Sequence, residues 1–358
     1  MRRKINTRTT RERGVAIITA MLVIALGTIT MVAITARQQF DMQREQNEAV
    51  IQQARALAIS GERFAAAVLF RDREAGDREN SDSLDDDWAT TIPPIPIDNQ
   101  AVLQGCIVDM QGRFNLNNLV DGEGNVVESY AQQLGRLLSE LNIDAVKAQA
   151  IIDWVDQNID PTIPDGAEDD YYSSLDPGYR AANAPFVSVS ELQLVKGFSS
   201  AIKEEAEDYA LLLPHVSALP TTNGATPVNV NTATPEVIAS LSEFLKPLAA
   251  DLSRWDTGAY EDYPECEDIF DLDAEDAPDT LVEERDLSPY ESTLIFEDAA
   301  APESGESIAA PGSYDVKSRF FQVRIDVVTE NLGITQYTLF EREDSGQTKI
   351  IYRARDAL

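Results

Sequence analysis

The sequence contains a dense run of carboxylates that could bind a metal ion. The side chains of Glu265, Glu267, Asp268, Asp271 and Asp273 could all come from one loop. Calcium takes about six to eight oxygen ligands from flexible loops, and a bound cation would relieve the repulsion between crowded carboxylates. The segment therefore predicts a calcium site, for which a solvated acidic loop is the alternative.

A second acidic stretch, residues 153–168, is the rival position for such a cation, and neither stretch has the ligand order of an EF-hand loop.

The sequence gives less support for catalysis than for cation binding. With 62 Asp and Glu residues in the chain, pairs of acids carry no information about acid–base chemistry. The single histidine, His215, leaves little for a catalytic triad, and residues 197–201 lack the second glycine of a nucleophile elbow. We therefore predict that the protein is not an enzyme.

The two cysteines, Cys106 and Cys266, have no CxxC neighbours, so the sequence argues against a zinc or redox motif. In an exported chain such an isolated pair could form one disulfide. That bond would require their Cα atoms to lie within about 7 Å of each other. We take the pair as a disulfide candidate.

The charge balance is acidic, with 62 Asp and Glu against 29 Lys and Arg. Nucleic-acid phosphates would be repelled by such a chain, so we expect no nucleic-acid partner. Residues 195–198 and 228–235 look like helix-hairpin-helix elements, which in DNA-binding proteins offer backbone amides to phosphate. In this acidic setting we interpret them as tight packing between helices.

The N-terminus gives the strongest signal for a structural element. Residues 1–14 are basic, and residues 15–36 then run without a charge. A helix of that length is roughly 33 Å long, enough to cross a bilayer core. Basic residues before it would hold the N-terminus in the cytoplasm, and the run is too long for the core of an ordinary signal peptide.

The same helix is predicted to continue beyond the membrane, because residues 37–73 contain no proline. Apolar side chains recur there with alternating spacings of four and three residues, which predicts a single seam that packs on a domain. The seam consists of Val50, Ala54, Leu57, Gly61, Phe64 and Val68.

These residues bear a family resemblance. Gly14 followed by Val15 and an apolar run, after a short basic leader, resembles a type IV prepilin cleavage site. The resemblance implies that a prepilin peptidase cuts after Gly14 and that the new N-terminus is methylated. Most pilins carry Glu at the fifth mature position, where this chain has Thr19. The stretch 112–119, GRFNLNNL, and the acidic and Tyr-rich stretches at 153–183 are similar to the K-type minor pseudopilins of type II secretion.

The resemblance implies an α+β, pilin-like fold: a long N-terminal helix packed on an antiparallel sheet, with an inserted all-α domain. Closing strands are predicted over residues 319–328, 336–341 and 349–353 from their alternating pattern. The predicted segments are a leader (1–14), a transmembrane helix (15–36), its amphipathic continuation (37–73), a linker without regular structure (74–98), a pilin-like domain (99–119 and 223–358) and the inserted domain (120–222). The resemblance to a family that binds calcium favours the Glu265 to Asp273 site.

The resemblance further implies a minor pseudopilin that caps or initiates the pseudopilus at its tip and supports secretion across the outer membrane. The expected partners are the I-type and J-type minor pseudopilins, the major pseudopilin fibre, the inner-membrane platform and the prepilin peptidase. The expected location is the bacterial inner membrane, single-pass, with a cytoplasmic N-terminus and periplasmic domains. The alternative is a periplasmic binding or hydrolytic protein held by an uncleaved anchor, which would keep its leader.

Overall fold

The computed structural model describes residues 9–74, 81–90, 92–97, 101–255, 288–301, 307–329 and 332–355. The chain divides into two units, Met1–Ala56 and Leu57–Leu358. The helices are α1 (Thr9–Glu74), α2 (Glu128–Glu140), α3 (Ala148–Val155), α4 (Asp169–Tyr172), α5 (Lys203–Leu212), α6 (Pro235–Leu241), α7 (Ala249–Leu252) and α8 (Thr293–Ala300). The strands are β1 (Ile92–Ile97), β2 (Ala101–Asp109), β3 (Phe114–Asn115), β4 (Val216–Ser217), β5 (Val228–Asn229), β6 (Tyr314–Asp315), β7 (Phe320–Thr329), β8 (Leu332–Arg342) and β9 (Thr348–Arg355).

Helix α1 confirms the prediction that the uncharged segment and its continuation form one uninterrupted helix. Between residues 16 and 36 its large apolar side chains stand exposed, from Ile34 at 53% to Met31 at 71%. Threonine hydroxyls in this stretch donate to backbone carbonyls one turn earlier, as Thr28 does to Ala25 at 2.9 Å. The apolar stretch is therefore suited to contact with lipid or with other apolar helices.

The second unit contains a five-stranded antiparallel sheet in the order β1-β2-β7-β8-β9. The three closing strands are confirmed. On β7 the four alternating apolar side chains are all buried, those of Phe321, Val323, Ile325 and Val327. Strands β8 and β9 meet at a turn where Gly346 adopts a φ of +79°, a conformation that glycine reaches without strain.

The predicted linker is wrong where it excludes regular structure. Residues 92–97 form β1 despite three prolines, because β1 is an edge strand and pairs only with β2. Proline lacks an N–H, and an edge strand tolerates this on its unpaired side. Trp88, just before it, is buried with its ring 5.1 Å from that of Phe321. The segment thus extends the sheet.

The predicted seam on α1 is also wrong in part, because Val50 is 37% exposed and Phe64 is 49% exposed. Gly61 of the predicted seam is buried, and the rest of the buried face of α1 in the second unit consists of Ala58, Glu62, Ala65 and Leu69. A Cβ on Gly61 would lie 3.0 Å from Ile325 Cδ1, so the helix backbone approaches the sheet closely. Small residues define this contact, and a prediction based on the spacing of large apolar side chains does not find them.

The buried Glu62 is held by side chains of β8 and β9. Arg353 donates to it through Nε at 2.6 Å and Nη2 at 2.7 Å, and Thr338 Oγ1 and Gln336 Nε2 donate at 2.8 and 3.1 Å. Burial acts to raise the pKa of Glu62, but the bonds from Arg353 and Thr338 outweigh it and lower the pKa below its ordinary 4.5. Glu62 is therefore ionised and fully paired in the folded chain.

A helical region follows the sheet's second strand, as the resemblance implied. Leu134, Leu137 and Leu138 of α2 share one buried core with Ile151 and Trp154 of α3. The same core continues through α6, α7 and α8, beyond the predicted boundary at 222. Ser188 and Glu191 form a capping box that opens a 3₁₀ helix. The helical layer is therefore wider than the inserted segment alone.

We expect Arg353→Met to lower the free energy of unfolding at pH 7 by about 1–3 kcal/mol, because it leaves the buried Glu62 short of its charged donor. The stabilisation is present above pH 4.5 and is lost as pH falls through the lowered folded-state pKa, so the difference from wild type shrinks in acid. Denaturant unfolding of the full chain in detergent measures it.

Arg355→Met is the matched control, because Arg355 lies two residues further along β9 and outside this ion pair. This substitution should lower the free energy of unfolding by no more than about 0.5 kcal/mol. Equal losses in the two variants at pH 7 would show that the Glu62 ion pair does not hold α1 on the sheet.

Candidate functional site

Gly14 and Val15 lie within α1, which begins at Thr9. Cleavage between them stays a prediction. Thr19 Oγ1 donates to the Ala16 carbonyl at 3.0 Å, so the hydroxyl is satisfied by its own helix. Among the residues that the structure describes, one helix, Ala16–Arg73, is long and apolar enough to cross a membrane, with a mean hydropathy of 2.5 in its most apolar 18-residue window. Its length and composition fit a membrane anchor.

The GRFNLNNL stretch is a buried polar junction. Asn117 pairs with the backbone of Phe186, donating to its carbonyl at 3.0 Å and accepting from its N–H at 2.7 Å. Asn118 does the same with Thr226, at 2.8 and 2.9 Å. Asn115 accepts from the Leu219 N–H at 2.9 Å and donates to the carbonyl of that residue at 3.2 Å. Each side-chain amide thus supplies the hydrogen-bond donor and acceptor that the backbone of a neighbouring strand would otherwise provide.

A second junction centres on Asp109, which is buried at the end of β2. Its Oδ2 accepts from Thr232 Oγ1 and Ser318 Oγ, both at 2.6 Å, and from Asn229 Nδ2 at 3.0 Å. Burial raises the pKa of Asp109. Residues 228–235 are therefore packed inside this junction, and Thr234 caps α6. The segment is therefore structural, but Val228–Asn229 form β5, so it packs at a strand end and not between helices alone as predicted.

Three carboxylates, those of Asp72, Asp82 and Asp86, place oxygens within 4.8 Å of one another, a spacing that could hold a metal ion. Arg342 already supplies a counter-charge: its Nη1 donates to Asp72 at 2.9 Å, and its Nη2 donates to Asp82. Burial raises the pKa of Asp72 to about 6, and the charge of Asp86 adds to the effect. The guanidinium, 4.5 Å from the ring of Phe321, makes this a structural ion cluster.

The rival cation stretch brings together three buried carboxylates, Asp153, Asp156 and Glu168. Asp153 lies on α3 and accepts from the Thr162 N–H at 3.0 Å. Asp156 follows α3, and its Oδ2 accepts from Asn158 Nδ2 at 2.7 Å. Burial raises the pKa of Asp156 to about 6 and that of Glu168 to about 7, with the charge of Asp153 adding to both.

Other predicted sites fall outside the described residues. The five acids from Glu265 to Asp273 lie in the segment 256–287, so the calcium site there stays a prediction. Cys106 is buried on β2, while Cys266 lies in that same segment. The disulfide therefore also stays a prediction.

Sequence reasoning missed the polar side chains that hold the fold together, namely Glu62, Asp109 and Arg342. Asp109 and Arg342 each end an apolar strand, and Glu62 interrupts an alanine-rich helix face. A lone charge in an otherwise apolar pattern is the signal that could have found them, because a buried charge requires a partner.

The family model for type II secretion system protein K matches residues 112–221. Type II secretion system protein K of Pseudomonas aeruginosa is 41% identical over 239 residues, which cover 65% of this chain and 68% of that protein. The Klebsiella pneumoniae protein of the same name is 35% identical over 239 residues, covering 65% and 70%.

The fold is similar to a solved structure, the crystal structure of the GspK-GspI-GspJ complex from the type 2 secretion system of enterotoxigenic Escherichia coli. The TM-score is 0.64 at 20% identity, and the match covers 88% of this chain and all of the matched one. This likeness bears on the fold alone, and it agrees with the predicted pilin-like architecture. Together with the sequence relatives and the exposed apolar helix, it leads to one conclusion: the chain belongs to the type II secretion system protein K family and is a minor pseudopilin.

Proposed function

We propose that this subunit initiates the pseudopilus and stays at its tip, in complex with I-type and J-type minor pseudopilins. The observation that carries the proposal is Thr19. A pilin-type Glu at this position would be a carboxylate in lipid that needs a partner, whereas the Thr19 hydroxyl is satisfied by the Ala16 carbonyl. A subunit with no neighbour above it would have no partner for a carboxylate at position 19.

The bulk of the helical region supports the same position. The core that α2 and α3 share with α6, α7 and α8 adds a layer to the pilin-like sheet. A subunit within a helical shaft would have to find room for that layer beside its neighbours. The matched structure in which GspK, GspI and GspJ form a complex supports sister minor pseudopilins as partners.

The proposal includes an orientation and a role. Basic residues in 1–14 favour a cytoplasmic N-terminus, with the second unit in the periplasm. The prepilin peptidase would remove residues 1–14 and methylate Val15, and the inner-membrane platform would then add major pseudopilins below. The role is assembly rather than catalysis.

We expect Gly14→Leu to leave the leader attached and to stop assembly, because the bulky side chain occupies the cleavage position. Intact-mass spectrometry of the membrane-extracted protein measures it, and wild type should begin at Val15. Gly27→Leu is the control, since a Cβ added at Gly27 would meet no other atom of the described chain within 4 Å. A normal mature mass in Gly14→Leu would contradict the cleavage assignment, and a wild-type chain that keeps its leader would favour the uncleaved-anchor alternative.

A tip position predicts one copy per fibre and tolerance of charge at position 19. Quantitative mass spectrometry of purified fibres should find this subunit in far smaller amounts than the major one, and comparable amounts would place it along the shaft.

A Thr19→Glu variant should retain most secretion. Thr28→Glu, deeper in the same helix, should impair it, because a carboxylate at the bilayer centre costs about 2.5–3.5 kcal/mol on insertion scales. Equal and severe defects would contradict the proposal.

A further inference from the structure

The five-stranded sheet ends in two edge strands that differ in their capacity to take a further strand. Strand β1 carries Pro93, Pro94 and Pro96, and each proline removes a backbone donor. Strand β9 contains no proline and pairs with β8 on one side only. An edge strand of this kind presents backbone donors and acceptors with which an incoming chain can pair. Of the two described edges, β9 is therefore the one that is open to strand addition.

The turn between β8 and β9 determines which backbone groups of β9 point outward. The Glu343 N–H donates to the Gln347 carbonyl at 2.8 Å, so these two residues form a hydrogen-bonded pair. Hydrogen-bonded and non-hydrogen-bonded pairs alternate along an antiparallel ladder. Counted along β9 from this pair, the N–H groups of Thr348 and Ile350 point away from β8. Ile350 is also 37% exposed, so an incoming strand can reach this edge.

The charge of β9 is opposite to that of the whole chain. Its three charged side chains, those of Lys349, Arg353 and Arg355, are all basic, whereas the chain has a formal net charge of -33. Arg353 pairs with Glu62, but within the described ranges Lys349 and Arg355 take part in no ion pair. Like charges keep two such edges apart, and opposite charges on facing strands attract. The edge therefore favours an acidic strand.

A cavity of about 730 Å³ lies between the helical region and strands β8 and β9. Its apolar walls include Leu339, Ile351 and Tyr352 from the sheet and Phe186 and Val187 from the helical region. The pairing of β9 with β8 skips Ile351, and this bulge lets two consecutive side chains, Ile351 and Tyr352, line the cavity. A cavity beside an edge strand can receive a side chain of a strand that pairs with that edge.

We propose that β9 binds, by strand addition, an extended acidic segment of another protein chain. The segment pairs with the backbone of Thr348 and Ile350, and its acidic side chains face Lys349 and Arg355. An apolar side chain of the segment enters the cavity beside Tyr352. In this mode of recognition main-chain pairing supplies affinity, and pockets for alternate side chains supply specificity. Such binding is independent of where the subunit lies in the fibre.

The probe is a short acetylated peptide of alternating Glu and Val, added to the full-length protein in detergent. The same peptide with Lys in place of Glu is the control. We expect the acidic peptide to bind and to slow amide hydrogen exchange at Thr348 and Ile350, because their N–H groups become hydrogen-bonded. The basic peptide should do neither. Equal binding of the two peptides, or binding without protection of these amides, would overturn the proposal.

Neutral variants test the contribution of charge. Lys349→Gln with Arg355→Gln should weaken binding of the acidic peptide about fivefold, because two cross-strand charge pairs are lost. Lys203→Gln with Arg180→Gln removes the same charge at two exposed positions of the helical region and should leave the affinity unchanged. Equal affinities of the two double variants would contradict recognition by charge at β9.

A proline variant tests the backbone pairing. Ile350→Pro removes a donor that points away from β8, so the ladder to β8 stays intact and the Tm should remain close to that of wild type. Binding of the acidic peptide should fall about tenfold or more, because main-chain pairing supplies the affinity. Ile350→Val keeps the donor and is the control. Wild-type affinity in Ile350→Pro would refute strand addition, and if this variant unfolds, the neutral variants decide.

Cross-linking in cells that assemble the secretion system identifies the occupant. A photoreactive benzoylphenylalanine in place of Ile350 should form an adduct with an acidic segment of another chain, located by mass spectrometry. The same group in place of Ile95, which is 41% exposed on the proline-rich edge β1, should form no such adduct. Adducts from position 350 that lie only within the chain itself, at residues 256–287 for example, would overturn the proposal, as would the absence of any adduct.

Discussion

The close contact between α1 and the sheet is the constraint on which the rest of the second unit depends. Gly61 lets the helix backbone approach Ile325, and the flanking alanines keep that approach open. Glu62 then fixes which face of the helix is buried, because its carboxylate accepts hydrogen bonds from side chains of β8 and β9. A close contact and a buried charge together specify one arrangement of helix and sheet, where apolar packing alone would allow several.

Side-chain amides also fix the arrangement of the chain, at the places where regular strands end. The helical region joins the sheet through irregular segments whose backbone groups lack ladder partners. Asn117, Asn118 and Asn231 supply those partners, each donating to and accepting from one backbone residue. A side-chain amide carries the same donor and acceptor as a peptide group, so it extends pairing without a strand. The asparagines of the family-like motif are thus structural.

Patterns that involve large side chains or long runs could be predicted from the sequence. The uncharged run, the closing strands and the helix α2 follow directly from period and charge. The edge strand β1 could not be predicted. Its prolines are tolerated only because β1 has a single neighbouring strand, and the order of the strands in the sheet is not visible in the local sequence. The buried face of α1 escaped because small residues carry no strong hydrophobic signal. At the acidic stretch 153–168, the sequence showed that acids are dense, but only the fold shows which of them are buried without partners.

Thr19 in the apolar helix and the wide helical layer both bear on one claim about assembly, that this protein K family subunit ends the fibre rather than building it. Electron microscopy of purified pseudopili tests that claim directly, if a gold-tagged antibody against the helical region of 120–222 marks the subunit. A tip subunit predicts gold at one end of each fibre and none along its length. Gold distributed along the shafts would contradict it.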